Sequence, residues 1–364
     1  MKKLLFPIIL IIMTGMFSCS TEFEVNAPWK DISVVYCLLN PNDSVHYVKL
    51  NKCFLGEENA YTMAQISDSS NYADATIILV PGKILDYGDF GESGDAISFE
   101  RTTEFPKDSG VFANDNNVIY KTTDAITMLD IEKDYKLKIS IPGKDEIYSQ
   151  TPLIQATNIA GQYSYLKTVG FTESGSETIE WNSVENAKIY ELTIHFTYLE
   201  ITDSIAVEKT IRWPQNRKIA PTTEGGTKMS MTIQGSNFLE FVSSSIKSNP
   251  NYDQVDERIV KQFYYTGAPK KYGALQFYFF LGAEDLNTYI EISSPSNTIV
   301  QEKPAYTNIS NGIGIFSCRV DNTVENVRLS DRAIDDLSGS DITKDLKFRD
   351  NNGTIGYWSV HIND

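Results

Sequence analysis

Polar and apolar positions alternate along this chain in short bursts. The sharpest runs from Ile189 to Tyr198: Tyr190, Leu192, Ile194, Phe196 and Tyr198 share one side, and Glu191, Thr193, His195 and Thr197 the other. Ser204 to Trp213 is the expected partner strand. A second clean alternation places Tyr135, Leu137, Ile139 and Ile141 opposite Lys136, Lys138 and Ser140, with Pro142-Gly143-Lys144-Asp145 as a hairpin turn. Asp31 to Leu39 is a continuous apolar run rich in β-branched residues, ended by Asn40-Pro41-Asn42-Asp43; it predicts a strand covered on both faces. Val45–Phe54 and Ala75–Val80 predict further strands, with Pro81-Gly82-Lys83 turning the chain. Thr122–Met128 fits strand or loop. Leu275–Leu281 and Thr288–Ile292 read as a hairpin, and Asn351-Asn352-Gly353 as the turn of a last one.

Two stretches switch to the helical period. Phe238, Phe241, Val242 and Ile246 fall on one face of a helix over Asn237–Ile246, with Asn237 and Glu240 spaced as a capping box. Ala333, Ile334 and Leu337 predict a short helix after Ser330.

Short strands with turn punctuation predict a mainly-β chain built of two antiparallel β-sandwich domains, the second with a helical insertion. The expected division is 31–155 and 162–364, with Ala156–Gly161 as the linker. Trp181 closes one strand, and the chain then turns through Ala187 into a strand led by Tyr190. That arrangement resembles the fibronectin type III sandwich of the immunoglobulin-like folds. The resemblance implies that Trp181 packs in the core beneath the Tyr190 strand.

The first thirty residues follow a different logic. Lys2 and Lys3 precede the apolar core Leu4–Met13, which is too short to remain as a membrane-spanning helix. Thr14-Gly15 loosens the chain, and Met16-Phe17-Ser18-Cys19 places a small residue before a cysteine. Those are the parts of an export signal, residues 1–18, that ends in a lipobox. The thiol of Cys19 is the expected lipidation site, with 19–30 as a tether. Acyl chains would contribute about 0.8 kcal/mol per buried methylene. The competing reading is an ordinary signal peptide with an incidental cysteine.

Composition narrows the partners. The formal net charge of −16 excludes a nucleic-acid footprint and argues against adsorption to anionic lipid, so a lipid on Cys19 would have to hold the membrane. Four cysteines leave Cys37, Cys53 and Cys318 after Cys19. That odd remainder is no disulfide framework: free buried thiols are expected, with a Cys37–Cys53 bridge as the alternative.

Candidate chemistry is sparse. His46, His195 and His361 lack metal-spaced neighbours, no Gly-x-Ser-x-Gly elbow occurs, and Lys83 lacks the remainder of a phosphate loop. One ligand-like cluster stands out: Asp86, Asp89, Glu92 and Asp95, in a glycine-rich loop offering only oxygen ligands. It would hold a calcium-like cation if any; otherwise it is a solvated hairpin tip. No other cofactor is expected.

The lipobox, the first sandwich and the fibronectin-like second half together resemble the outer-membrane lipoproteins of unknown function of Bacteroidetes. The specific stretch is Tyr289-Ile290-Glu291-Ile292-Ser293-Ser294-Pro295-Ser296, followed by Pro304-Ala305-Tyr306-Thr307-Asn308-Ile309-Ser310-Asn311-Gly312-Ile313-Gly314-Ile315-Phe316. The resemblance implies an outer-membrane address and association with a β-barrel, TonB-dependent importer, and supplies no catalytic residues. Gly312 and Gly314 would serve either close packing or a ligand cleft. The expected function is therefore a non-enzymatic, lipid-anchored surface protein, an accessory or ligand-capture subunit of an uptake complex. The alternative is a carbohydrate-binding or adhesive module in which exposed aromatics stack on sugars. A hydrolase assembled from distant carboxylates is the third reading. Coplanar exposed rings would favour the second and an open apolar patch the first.

Overall fold

A computed structural model describes residues 31–53, 60–108, 110, 117–123, 128–155, 159–163, 167–263, 272–294 and 305–361. The fold is mainly β and sandwich-like.

The first half carries β1 (Ile32–Leu39), β2 (Tyr47–Cys53), β3 (Thr76–Ile84), β4 (Phe90–Glu92), β5 (Ile97–Thr102), β6 (Ile119–Thr122), β7 (Asp134–Ser140) and β8 (Ile147–Thr151). The second carries β9 (Thr168–Val169), β10 (Ser176–Asn182), β11 (Ile189–Thr202), β12 (Ile205–Pro214), β13 (Lys218–Ile219), β14 (Lys228–Gln234), β15 (Glu257–Val260), β16 (Leu275–Gly282) and β17 (Ile313–Leu329). Its helices are α1 (Gly235–Lys247), α2 (Glu284–Ser293), α3 (Asp331–Gly339) and α4 (Asn351–His361).

In the second half the β10–β14 pair forms one layer, and β12-β11-β16-β17 forms the facing one. Trp181 on β10 is 3% exposed and meets the rings of Tyr190 on β11 and Phe279 on β16 at 6.0 and 5.4 Å. The position implied by the fibronectin-like resemblance is thus the observed one. A two-stranded layer is too narrow to cover four strands, and α1 makes up the width. Its Phe238 packs on Phe196 of β11 and Trp213 of β12. The expected helix over 237–246 is present, but Gln234 precedes its first turn and supplies no side-chain cap. Ser330 does cap α3, accepting from the Ala333 amide.

In the first half the order β1-β2-β6-β5-β3-β7-β8 continues until β8 meets Ser310, just before β17. Ser310 and Tyr148 exchange two backbone bonds, at 2.8 and 3.4 Å. Since β17 pairs with β1, the strands make a closed circuit, filled by Val35, Cys37, Leu50, Leu79, Tyr120, Leu137 and Ile147 among others.

β17 belongs to both halves. Its Ile313–Cys318 segment runs parallel to Val34–Leu39 of β1, and its Arg319–Val327 segment runs antiparallel to β16. The expected division at 31–155 and 162–364 marks a crossover of the chain, yet one hydrogen-bonded sheet and one apolar core run across it. The expectation of purely antiparallel sheets needs correction, because β1 and β9 both run parallel to β17.

Four local expectations also change. Pro81-Gly82-Lys83 continues β3 instead of turning it. Pro81 lies where β3 passes from β5 to β4, and its carbonyl accepts from Ser93 on that same side, so the missing donor falls in a gap between partners. Thr288–Ile292 is not a strand but part of α2, which starts with Glu284 and Asp285 at its positive end. Asn351-Asn352-Gly353 opens α4 rather than a hairpin: Asp350 accepts from the Gly353 amide at 2.7 Å and acts as an N-cap. β1, finally, is covered on only one face.

Candidate functional site

That half-covered strand makes the site. Along β1, Ser33, Val35, Cys37 and Leu39 point inward and are buried. Ile32, Val34, Tyr36 and Leu38 point outward, with Tyr36 43% and Leu38 37% exposed. The register with β17 sets Ile313, 41% exposed, beside Val34 on the same face. Continuing the register with β2 beyond Tyr36–Lys49 brings Tyr47, 38% exposed, opposite Leu38. The result is an open apolar strip across three adjacent strands.

The strip has firm margins. On one side α2 lies against β17, and its Tyr289 hydroxyl donates to Tyr36 at 3.4 Å with the rings at 79°. The adjacent Tyr289 hydroxyl, with burial, pushes Tyr36 up to about 12. On the other, Tyr47 packs edge-on against Phe105 at 5.3 Å and 83°. Lys49 sits beside Tyr36 and donates to Asn117 Oδ1 and the Val118 carbonyl at 2.8 and 2.7 Å. Burial and the nearby Lys107 bring it down to about 8. At the start of β1 the strip opens into a groove of about 850 Å³, lined by Ile32, Ile313, Asn311, Asp145 and the Asp31–Lys144 ion pair of 2.8 Å.

The Asn308–Phe316 segment builds this edge. The Asn308 side chain accepts from the Phe316 amide at 3.0 Å and donates to the Phe316 carbonyl at 2.7 Å and to Asp285 of α2 at 3.0 Å. Tyr306 donates to the same carboxylate. Gly314 has φ +117, and a Cβ there would lie 1.9 Å from the Val35 carbonyl oxygen. Of the two roles open to these glycines, close packing is the one Gly314 visibly serves.

Asp86, Asp89, Glu92 and Asp95 are all exposed around the β3–β4 connection. Glu92 hydrogen-bonds to Lys138, which lowers its carboxyl below the usual range. Among the described residues no three His, Cys, Asp or Glu side chains gather as a metal-holding group, so these four are not brought together. His46 is buried before β2, His195 stacks on Tyr278, and His361 bonds back to the Tyr357 carbonyl within α4. Cys37 and Cys318 are buried free thiols and Cys53 an exposed one; burial pushes Cys318 up to about 12. Cys53 pairs with Ile32, five residues along β1 from Cys37, which rules out the alternative bridge. Cys19, the leader and the tether lie outside the described residues.

Sequence reasoning found the Ile32–Leu39 run but not its open side. The signal available was Tyr36, the one aromatic ring in the run Ile32–Leu39.

No family model matches the chain, and no curated protein matches it. Among solved structures it is similar to the C-terminal globular domain of an oligosaccharyltransferase from Pyrococcus abyssi. The identity is 14% and the TM-score 0.21, over 63% of this chain and 45% of that one. The chain spans under half the length of that protein, and a likeness so slight carries no inference.

Proposed function

We propose that this chain is a non-enzymatic outer-membrane protein, lipid-anchored through Cys19, and an accessory or ligand-capture subunit of a TonB-dependent uptake complex. Its outer β1 face is the surface that docks on the β-barrel importer. The observation that supports this reading is the open strip of Tyr36, Leu38, Tyr47 and Ile313, since contiguous exposed apolar surface marks interaction sites. A sugar-stacking platform is less well supported, because the rim pairs Tyr36–Tyr289 and Tyr47–Phe105 stand nearly perpendicular and offer no coplanar row.

The test is a pull-down of the tagged chain from detergent-solubilised outer membranes, comparing wild type with Tyr36→Asp/Leu38→Asp. Both substituted side chains point to solvent, so the variant should fold and lose a co-purifying β-barrel importer. Cys19→Ala should leave the precursor unprocessed or release the protein from the membrane fraction. Recovery of no importer, or equal recovery by the folded variant, would refute the docking reading. Unchanged membrane retention of Cys19→Ala would refute the anchor.

A further inference from the structure

β12 ends the strand order, separated from β1 by three strands. β11 and β12 form a long hairpin whose turn residues, Asp203 and Ser204, have φ of 51 and 66. Positive φ at both central positions is the two-residue turn that matches strand twist. The Gln215 amide donates to the Leu192 carbonyl at 2.8 Å, which fixes the phase of the ladder. Stepping by two, Trp213, Ile211, Lys209, Val207 and Ile205 turn their backbone groups toward β11. Ala206, Glu208, Thr210 and Arg212 therefore turn theirs outward. Pro214 falls in the outward phase as well, where its missing donor leaves the hairpin ladder intact.

Among the described residues β12 pairs with β11 alone. Ala206, Glu208, Thr210 and Arg212 are all exposed, and so are Ile205 at 66% and Val207 at 45%. A ten-residue open edge is a template for another strand.

The side chains say which strand. We propose that β12 pairs antiparallel with β12 of a second copy of this chain, about a two-fold axis at Thr210. In that register Thr210 faces Thr210 of the second copy, Glu208 faces its Arg212, and Arg212 faces its Glu208. All three pairs join outward-facing backbone groups, giving on the order of six hydrogen bonds and two cross-strand ion pairs. Val207 comes opposite Trp213 of the second copy. The neighbouring registers lose these pairs. An axis at residue 208, 209 or 212 sets Glu208, Lys209 or Arg212 against itself, and like charges directly opposite destabilise. An axis at residue 211 leaves Glu208 facing Pro214 and Arg212 facing Thr210. Lys261 holds the Glu208 carboxylate at 2.6 Å from within the chain and keeps it over the sheet. With a net charge of −16, two copies repel overall, so association needs a locally matched edge of this kind.

The pairing is independent of the importer-docking proposal, because it uses β12, which β11, β16 and β17 separate from β1 in the strand order. Its test is sedimentation equilibrium of the full chain in mild detergent at physiological salt. Wild type should reach a dimer at micromolar concentration. Glu208→Arg and Arg212→Glu should each weaken association about tenfold, and the double swap should recover it. In a Cys53→Ser background, Thr210→Cys should cross-link to itself on mild oxidation and Glu208→Cys should not, because only residue 210 meets its own copy. A wild type that stays monomeric overturns the proposal. So does a double swap that fails to recover what the single changes lose, with near-ultraviolet dichroism confirming that each variant is folded.

Discussion

Arg258 shows what a single side chain does here. It is fully buried on β15, beside Glu200 of β11 in the sheet register. Its Nε and Nη2 atoms donate to Glu200 Oε1 at 3.0 and 2.9 Å, Nη1 donates to the Leu346 carbonyl at 2.7 Å, and Nη2 also donates to the Tyr252 carbonyl at 2.8 Å. One guanidinium thus ties the central strand to the turn before β15 and to the segment after α3. A buried charge with all three of its nitrogens hydrogen-bonded tolerates removal of neither partner. Arg258→Met should cost about 3–5 kcal/mol, because it leaves the Glu200 carboxylate, 13% exposed, without its cation. Adding Glu200→Gln should return part of that loss. Urea melts of the four proteins give the coupling, and strictly additive losses would count against a coupled pair. Nothing in the sequence marks Arg258, since a lone arginine in a short polar stretch reads as solvated. Trp181 was legible, because its place at a strand end before a Tyr-led strand fixed which core it enters.

At the scale of elements, strands with strict alternation were the readable ones. β7 and β11 appear where period two predicted them, since each buries one face and leaves the other partly open, and β12 appears as the expected partner of β11. The helices α2 and α4 were not readable. Thr288, Ile290 and Ile292 are good strand formers, but α2 is set by its acidic first turn and by Asp285 clamping Asn308 and Tyr306. In α4 the Asn-Gly turn signal yields to the Asp350 cap and to Trp358, which is buried with its indole donating to the Val260 carbonyl at 2.9 Å. The candidate strip was half legible: its residues stood out as an apolar run, yet only the placement of α2 decides which flank stays open. Gly314 is the narrowest point of the junction between β1 and β17. Gly314→Ala should cost more than about 3 kcal/mol, combining the positive φ with a broken rung against Val35. Thermal melts of Gly314→Ala against wild type measure it, and a change below about 1 kcal/mol would show that the rung can shift.

At the scale of the whole molecule, β17 decides how the protein unfolds. A chain of this length commonly divides into two domains that melt separately. Here six residues of β17 pair with β1 and the next stretch pairs with β16, so neither half keeps a complete sheet once the other has opened. The crossover is bonded as well. The Gln155 amide donates to the Glu185 carbonyl at 3.3 Å, Asn186 donates to the Leu153 carbonyl at 2.9 Å, and the Ile154 amide donates to the Cys318 thiol at 3.4 Å. Apolar residues from β1 through α3 form one continuous cluster. Opening the first half would strip Ile315, Phe316 and Cys318 of their neighbours and expose apolar surface at about 25 cal/mol per Å². The chain should therefore unfold in one cooperative transition, with the calorimetric and van't Hoff enthalpies equal. Two resolved heat-capacity peaks, or far- and near-ultraviolet dichroism melting at different temperatures, would mean that β17 can leave one half while staying in the other. Substituting Gly314 should then lower the first peak alone, whereas in a single unit it lowers the one midpoint shared by both halves.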